Sequence, residues 1–466
     1  MRTQCIAALI PLVLTVPGCG PLTFDAPQES AEISAPAYWN SAGQGRDSKI
    51  SQGWVSEFGD AGMRRAVDQA MSHNQDLAAA QARMREAEYV RIAGRSRVLP
   101  QADLTTSGSF SISENGSAAS SESERYGITV AASWEADLWG RLRDLNRADD
   151  ADLAAARATY RGARLSLAAS TARAWCNLIA ADQQLELAKV TLDSFERNLR
   201  ISERNYKGTG QGALDVQFGR TNVAAAKRAV ESSKLIRGEA ARSLETLTGR
   251  YPSGSTRAGS ELPRLKRTVP AGIPASMIDR RPDLAIARAR IYSTAKRADA
   301  ARKSLLPSFG ITASGGTPVS RFADLLNPEW LAASIAGNIA QTLYSGGQLG
   351  NQARAALERN RAAVHDYNQT ALDAFREVES ALATDLSLAE QERFLVTEVE
   401  QAALAERQAS RDYADGIEGS DILDVLESQR RANNARSSLI RLRNDRLQNR
   451  IDLHLALGGD FRTEDR

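Results

Sequence analysis

From Arg141 to Tyr206 the chain contains no proline and a single glycine, Gly162. Read as one helix at ~1.5 Å per residue, this stretch is a rod on the order of 100 Å long. No single globular core covers such a rod, so neighbours must bury it along its length. Its pattern supplies two seams. Leu153, Ala156, Tyr160, Ala163, Leu167, Ser170 and Ala174 follow the alternating steps of three and four that mark a coiled coil. Two residues on, Ala155, Ala158, Gly162, Leu165, Ala169, Ala172, Cys176 and Ile179 repeat the spacing. Two residues turn a helix by about 200°, which puts the seams on nearly opposite flanks. A helix with a neighbour on each flank belongs to a wall, and a closed wall is a tube. Taken alone, the helix would also suit a soluble coiled-coil bundle.

The strands decide between those options. At 99–113 the sequence changes to strict alternation, LPQADLTTSGSFSIS. Leu104, Thr106, Gly108, Phe110 and Ile112 fall on one face of a strand, and Thr105, Ser107, Ser109, Ser111 and Ser113 on the other. YGITVAASWEADLWG at 126–140 does the same, with Thr129 and Ser133 on its small polar face. In the second half Thr312 and Ser314 oppose Phe309, Ile311 and Ala313, and Ser334 and Asn338 oppose Ile335 and Ile339. These are four strands of roughly ten residues, the length of a tilted membrane strand. A half-exposed soluble sheet would carry bulky aliphatics inside and charges outside. Here the polar face is Ser, Thr, Gly and Ala, which suits a water-filled lumen. The expected lumen-facing residues are Thr105, Ser107, Ser109, Ser111, Thr129, Ser133, Thr312, Ser314, Ser334 and Asn338.

The two strand pairs belong to two copies of one unit. Displaced by 207 positions, DLAAAQAR at 76–83 meets DLAIARAR at 283–290, and RSRVLPQADLTTSG at 95–108 meets RKSLLPSFGITASG at 302–315, with no gap between. The fold expected is mainly α with membrane β, a duplicated α-β-β-α repeat. Four strands cannot close a barrel, and an unpaired edge in lipid costs several kcal/mol per orphan group. Two copies give eight strands, whose interior side chains fill; three give twelve, enough to leave a passage. A homotrimer is the inference.

The boundaries follow from composition. Residues 1–18 read as a signal peptide, with Arg2 ahead of an apolar run, Ile6 to Val16, too short to span a bilayer. The run ends in VPGC, which resembles a bacterial lipobox and implies cleavage before Cys19 and lipidation of its thiol; ordinary cleavage with Cys19 left free is the alternative. Residues 19–60 are then a lipid-anchored N-terminal segment. Repeat 1 spans 61–248, with strands at about 102–113 and 126–136 and long helices at 141–206 and 213–248. A Pro-, Gly- and Ser-rich connection at 249–274 leads to repeat 2, 275–458, with strands at about 308–315 and 331–343 and helices at 348–413 and 421–457. Residues 459–466 are a C-terminal tail. In the last helix Val425, Ala432, Ala435, Leu439 and Leu442 keep heptad spacing.

Catalytic and metal chemistry is not expected. His73, His365 and His454 are isolated from one another and from cysteine. GTGQG at 208–212 follows a helix, lacks phosphate-loop spacing, and reads as a helix-ending turn. Cys176 lies within a helical pattern and reads as a small buried residue. Lys plus Arg number 59 against 57 Asp plus Glu, so the net charge of +2 gives no reason to expect nucleic acid.

Each long helix ends in a glycine-bearing turn, at 206–216 and 413–425. The second carries Asp415, Glu418, Asp421 and Asp424, whereas the first has only Asp215. Three-fold symmetry would repeat an inward carboxylate as a ring that selects cations. Asp415, Glu418 and Asp421, with Tyr206 and Tyr413 as weaker hydroxyl ties, are the candidate gate. The competing role for Ser420 or Asp421 is capping the return helix.

Several segments resemble one family. WEADLWGRLR at 134–143, VPAGIPASMIDRRPDLAIARARI at 269–291, LPSFGIT and the LYSGG of 343–347 are similar to motifs of the TolC-like outer membrane factors, in particular the lipoprotein branch of OprM and NodT types. Ala287-Arg288 stands where that family has Ala-Glu, and Met277-Ile278-Asp279 replaces a more Leu/Arg-rich run. The resemblance implies a trimeric 12-stranded outer membrane β-barrel continued by a long periplasmic α-helical barrel. It also implies docking to a periplasmic adaptor (a membrane fusion protein) and an inner membrane pump of the RND class, with passive export of small toxic compounds. A periplasm-spanning structural lipoprotein and a duct for protein secretion remain as alternatives.

Overall fold

A computed structural model describes residues 36–42, 53–113, 121–209, 212–265, 274–415, 417 and 421–459. The Cys19 lipobox, Glu418 and Ser420 lie outside the described residues. The chain is mostly helical with one small sheet. Two short helices, α1 (Ala61–His73) and α2 (Gln75–Arg95), lead into strands β1 (Gln101–Ser113) and β2 (Ser121–Glu135). The long helix α3 (Arg141–Thr209) and its return helix α4 (Ala213–Leu247) follow. The second half runs α5 (Pro274–Arg280), α6 (Pro282–Lys303), β3 (Ser308–Gly316), β4 (Ala332–Ala340), α7 (Gln348–Ala414) and α8 (Ile422–Ala456).

Local chemistry sets the helix starts. Asp60 caps α1 by accepting from the N–H groups of Gly62 and Met63 at 2.7 and 3.0 Å, which satisfies donors the helix itself cannot. Asn74 caps α2 through the Leu77 N–H at 3.0 Å. Pro282 opens α6, where its missing N–H removes no helical bond.

The sheet order is β1-β2-β3-β4, every pair antiparallel, with β1 and β4 at the edges. β2 begins at Ser121, five residues before the alternating apolar pattern. Its first turn of sequence, SESER, has no apolar face to announce a strand; pairing with Ser109–Ser113 of β1 supplies the structure instead. β4 stops at Ala340, so Leu343 and Tyr344 lie beyond the strand, both 87% exposed.

Among the described residues the two largest apolar clusters flank α3 and α7. In one, Trp54, Phe58, Met63 and Val67 pack on Ala168, Ala169, Ala172, Cys176 and Ile179 of α3 and on Leu447 and Ile451 of α8. In the other, Met277 and Leu284 pack on Tyr367, Ala371, Ala374 and Val378 of α7, on Leu453 of α8 and on Leu457 just past its end, with Trp39 tilted against Phe375. Every residue of the two α3 seams is buried or half-buried. Alanine at the tightest of these contacts lets the backbones approach closely, and such packing, more than helix propensity, stabilises the helices.

Candidate functional site

Residues directly opposite in paired strands share a face of the sheet. The register therefore gathers all ten expected lumen residues on one side. Thr105 faces Thr129, Ser107 faces Gly127, Ser109 faces Arg125 and Ser111 faces Ser123. Ser133 faces Thr312, Ser314 faces Ser334, and Asn338 faces Gly310. Ser314 and Ser334 share a hydroxyl bond of 2.9 Å. The opposite face carries Leu104, Phe110, Ile112, Val130, Trp134, Ile311, Ile335 and Ile339, each more than a third exposed in the single chain.

Aromatic side chains mark both ends of that apolar face, a signal the alternation pattern alone did not bring out. At the end nearest the helices, Trp134 Nε1 donates to the Val98 carbonyl at 2.9 Å and Trp139 Nε1 to the Pro307 carbonyl at 2.7 Å. Trp139 lies tilted against Phe309 with centroids 6.2 Å apart, within the roughly 4.5–7 Å range of favourable aromatic pairs. Toward the far end Tyr126 meets Phe322 edge-on at 5.6 Å, and beyond it Phe110 and Ile112 lie opposite Glu124 and Glu122, where the apolar band gives way to charge. Eight residues separate Tyr126 from Trp134, which on a strand tilted by about 40° is a height of roughly 20 Å, near that of a membrane apolar band.

The junction between sheet and helices is held by charge. Asp137 accepts from the N–H groups of Leu142 and Arg143 at 3.0 and 2.9 Å and caps α3. Burial pushes its carboxyl up, but those N–H groups and the Arg143 guanidinium outweigh it and hold Asp137 below the usual carboxylate range. Arg141 grips both oxygens of Glu135 at 2.8 Å. Buried Asp144 pairs with Arg147 and with Lys303.

The far tips of the helices carry the candidate gate. Asp421 caps α8 through the Leu423 N–H at 3.3 Å, so the capping role is realised. Asp415 ends α7, its N–H donating to the Arg411 carbonyl at 2.8 Å. Tyr206 is exposed and Tyr413 half-buried. At the neighbouring tip the Asp215 carboxyl is pushed up, first by burial and then by the charge of Asp421. Asp215 thus joins the cluster although its own turn looked poor in acids.

Two further sites each tie one half of the chain to the end of its own return helix. Asn74 Nδ2 donates to the Leu247 carbonyl of α4 at 3.0 Å, and Arg281 Nη1 to the Ala456 carbonyl of α8 at 2.8 Å. Asn74 and Arg281 stand 207 positions apart, in the register of the sequence match. Each helix end is closed by a glycine with positive φ, Gly249 at 70° and Gly458 at 88°. A Cβ on Gly249 would lie 2.5 Å from the His73 carbonyl oxygen. Glu245, buried in α4, accepts from the N–H groups of Gly254, Ser255 and Thr256 at 2.6, 3.0 and 2.8 Å and so pins the inter-repeat connection.

Cys176 is buried, and burial followed by the charge of Asp60 pushes its thiol up to about 12, so it is not a nucleophile. His454 is buried and stacked on Trp54 at 5.4 Å. Among the described residues no cluster of His, Cys, Asp and Glu could hold a metal ion, and no helix is long and apolar enough to cross a membrane.

The sequence profile described as outer membrane efflux protein matches residues 66–250 and 273–459. The pyoverdine export outer membrane protein OpmQ of Pseudomonas aeruginosa is 27% identical over 468 residues, 98% of this chain and 97% of that one. The cation efflux system protein CusC of Escherichia coli K12 is 26% identical over 422 residues, 89% of this chain and 90% of that one. Among solved structures, the CmeC outer membrane channel of Campylobacter jejuni superposes with a TM-score of 0.83 at 23% identity, covering 90% of each chain. The outer-membrane channel OprN does so with a TM-score of 0.83 at 24% identity, covering 93% of this chain and 98% of that one. Both structures share the fold.

Proposed function

The chain belongs to the outer membrane efflux protein family and is the outer membrane exit duct of an efflux system; from that premise we propose how it is built and what it conducts. Three copies close a 12-stranded barrel, and their helices continue it as a tube into the periplasm. The observation that carries this reading is the sheet itself, with one small polar face, one apolar face and two open edges. Three antiparallel steps leave β1 and β4 running in opposite directions. β4 of one copy beside β1 of the next is then antiparallel as well, and repetition closes the sheet without an edge. The ten Ser, Thr and Asn residues line the water-filled passage, and the apolar face with its aromatic ends meets lipid.

Each chain is a duplicated α-β-β-α repeat, supported by the shared order of elements in the two halves and by the equivalent ties of Asn74 and Arg281. Acylation of Cys19 anchors the N-terminal segment in the membrane. The tips bearing Asp415, Glu418, Asp421, Tyr206 and Tyr413 narrow the tube and open against a periplasmic adaptor coupled to an RND-type pump. The cargo is small toxic compounds, selected mainly by the pump. The charge of Asp421 on Asp215 supports a tip sensitive to electrostatics.

Cross-linking of purified protein in detergent is expected to stop at a three-chain species. A stable monomer that inserts into membranes would end this reading, and a protein that never conducts in a planar bilayer would favour a periplasmic scaffold instead.

A further inference from the structure

The polar face of the sheet is nearly free of charge, which makes its few charges conspicuous. Of the strand positions on that face, three are ionised: Asp103 on β1, and Arg125 and Glu135 on β2. Glu135 is neutralised by Arg141, whose guanidinium reaches both of its oxygens at 2.8 Å. Asp103 and Arg125 are exposed and stand in no ion pair among the described residues.

Their places differ along the barrel axis. Asp103 faces Ala131, and its row continues through Ser314 to Ser334. Every neighbour in that row is small, so the carboxylate is the group reaching furthest inward at that depth. Arg125 faces Ser109 near the outer end, where Tyr126 meets Phe322. Six residues of β2 separate Arg125 from Ala131, roughly 20 Å along the strand. That exceeds the Debye length of about 8–10 Å at physiological salt, so neither charge cancels the other.

We propose that Asp103 and Arg125 form two charged rings of opposite sign in the barrel, and that Asp103 is the residue that makes its inner mouth favour cations while Arg125 gives its outer mouth affinity for anions. The inference rests on the trimeric duct reading, which repeats each charge three times around one passage. Ions crossing the barrel then meet an attractive site and a repulsive one in series, and each ring weights the permeability ratio independently.

The test is the reversal potential of purified protein in planar bilayers under a potassium chloride gradient. Asp103→Asn is nearly isosteric and its site is exposed, and Asp103→Ser supplies a second variant that matches the rest of the face. In both, the cation-to-anion permeability ratio is expected to fall about two- to threefold, as a ring of three screened unit charges requires. Arg125→Gln is expected to raise the ratio by a similar factor, and the double variant to show the product of the two changes. Conducting variants with an unchanged ratio would overturn this inference alone. A protein that forms trimers but conducts nothing, wild type included, would overturn the duct reading and this inference together.

Discussion

Arg281, at the start of α6, donates to the carbonyl of Ala456, in the last turn of α8, at 2.8 Å. The same guanidinium reaches Asp283 at 2.7 Å and Glu377 of α7 at 2.8 Å. One side chain therefore ties three helices where the chain would otherwise leave a helix C-terminus buried and unpaired. The guanidinium also complements the partial negative charge at the end of α8. Asn74 performs the reduced version of this task in the first half, with one bond to Leu247.

Arg281→Gln is expected to lower stability by about 2 kcal/mol. The carboxylates of Asp283 and Glu377 are 42% and 46% exposed and can turn to water, so the ion pairs themselves contribute little of this. The orphaned Ala456 carbonyl and the emptied site contribute most. Arg281→Lys is expected to recover only part, because an ammonium cannot serve three acceptors in one plane. Thermal unfolding of the detergent-solubilised protein measures both; a lysine variant as stable as wild type would remove the fork from the explanation.

Acid should loosen the inter-repeat connection through Glu245. Burial raises its pKa, but the N–H groups of Gly254 and Thr256 outweigh burial and bring it to about 2, against an ordinary 4.5. A carboxyl depressed in the fold stabilises it above the ordinary value and loses that contribution as pH falls toward 2. Limited proteolysis of residues 249–265 is expected to accelerate across that window in wild type. Glu245→Gln should show fast cleavage at neutral pH and little further change on acidification.

At the helix tips the sign is reversed. Asp215 is raised by burial and by Asp421, so its charged form is disfavoured in the folded arrangement, and the penalty grows as pH rises through its pKa. Mild acid is expected to draw the tips together and reduce conductance. Asp215→Asn should flatten that dependence at neutral pH by behaving like the acidified wild type. An identical pH profile in the variant would confine Asp421 to its capping role.

Cys19→Ala is expected to lose acyl mass by mass spectrometry while the trimer still assembles. A mature wild-type chain whose Cys19 carries no lipid would withdraw the anchor and leave the barrel argument untouched.

Much of the helical body was legible because its signals are local. The seam through Leu153, Leu167 and Ala174 predicts a helix packed on two flanks, and these residues are buried in α3. The alternating faces of 102–113 and 308–315 likewise suffice to place Thr105 with Thr129 and Ser133 with Thr312 once pairing is known. What stayed hidden depends on contacts distant in sequence. Glu245 reads as a solvated helix acid until the connection folds back over it. Trp39 and Trp54 lie in a segment with no helical or strand period, yet each fills a core. The Arg-Arg-Pro-Asp run was legible as a motif but not as a tie, since its acceptor Ala456 is 175 residues away.

The central claim is that one face of the sheet meets water and the other lipid. Single cysteines at Thr129 and Val130, neighbours on the interior strand β2, test it directly. Each would be treated with a charged, membrane-impermeant thiol reagent after reconstitution into bilayers. Buried Cys176, its thiol at about 12, gives no background. The account expects the cysteine at 129 to be modified and to lower single-channel conductance, and the cysteine at 130 to resist modification and leave conductance unchanged. Equal modification at both positions, or modification at 129 with no change in conductance, would contradict it.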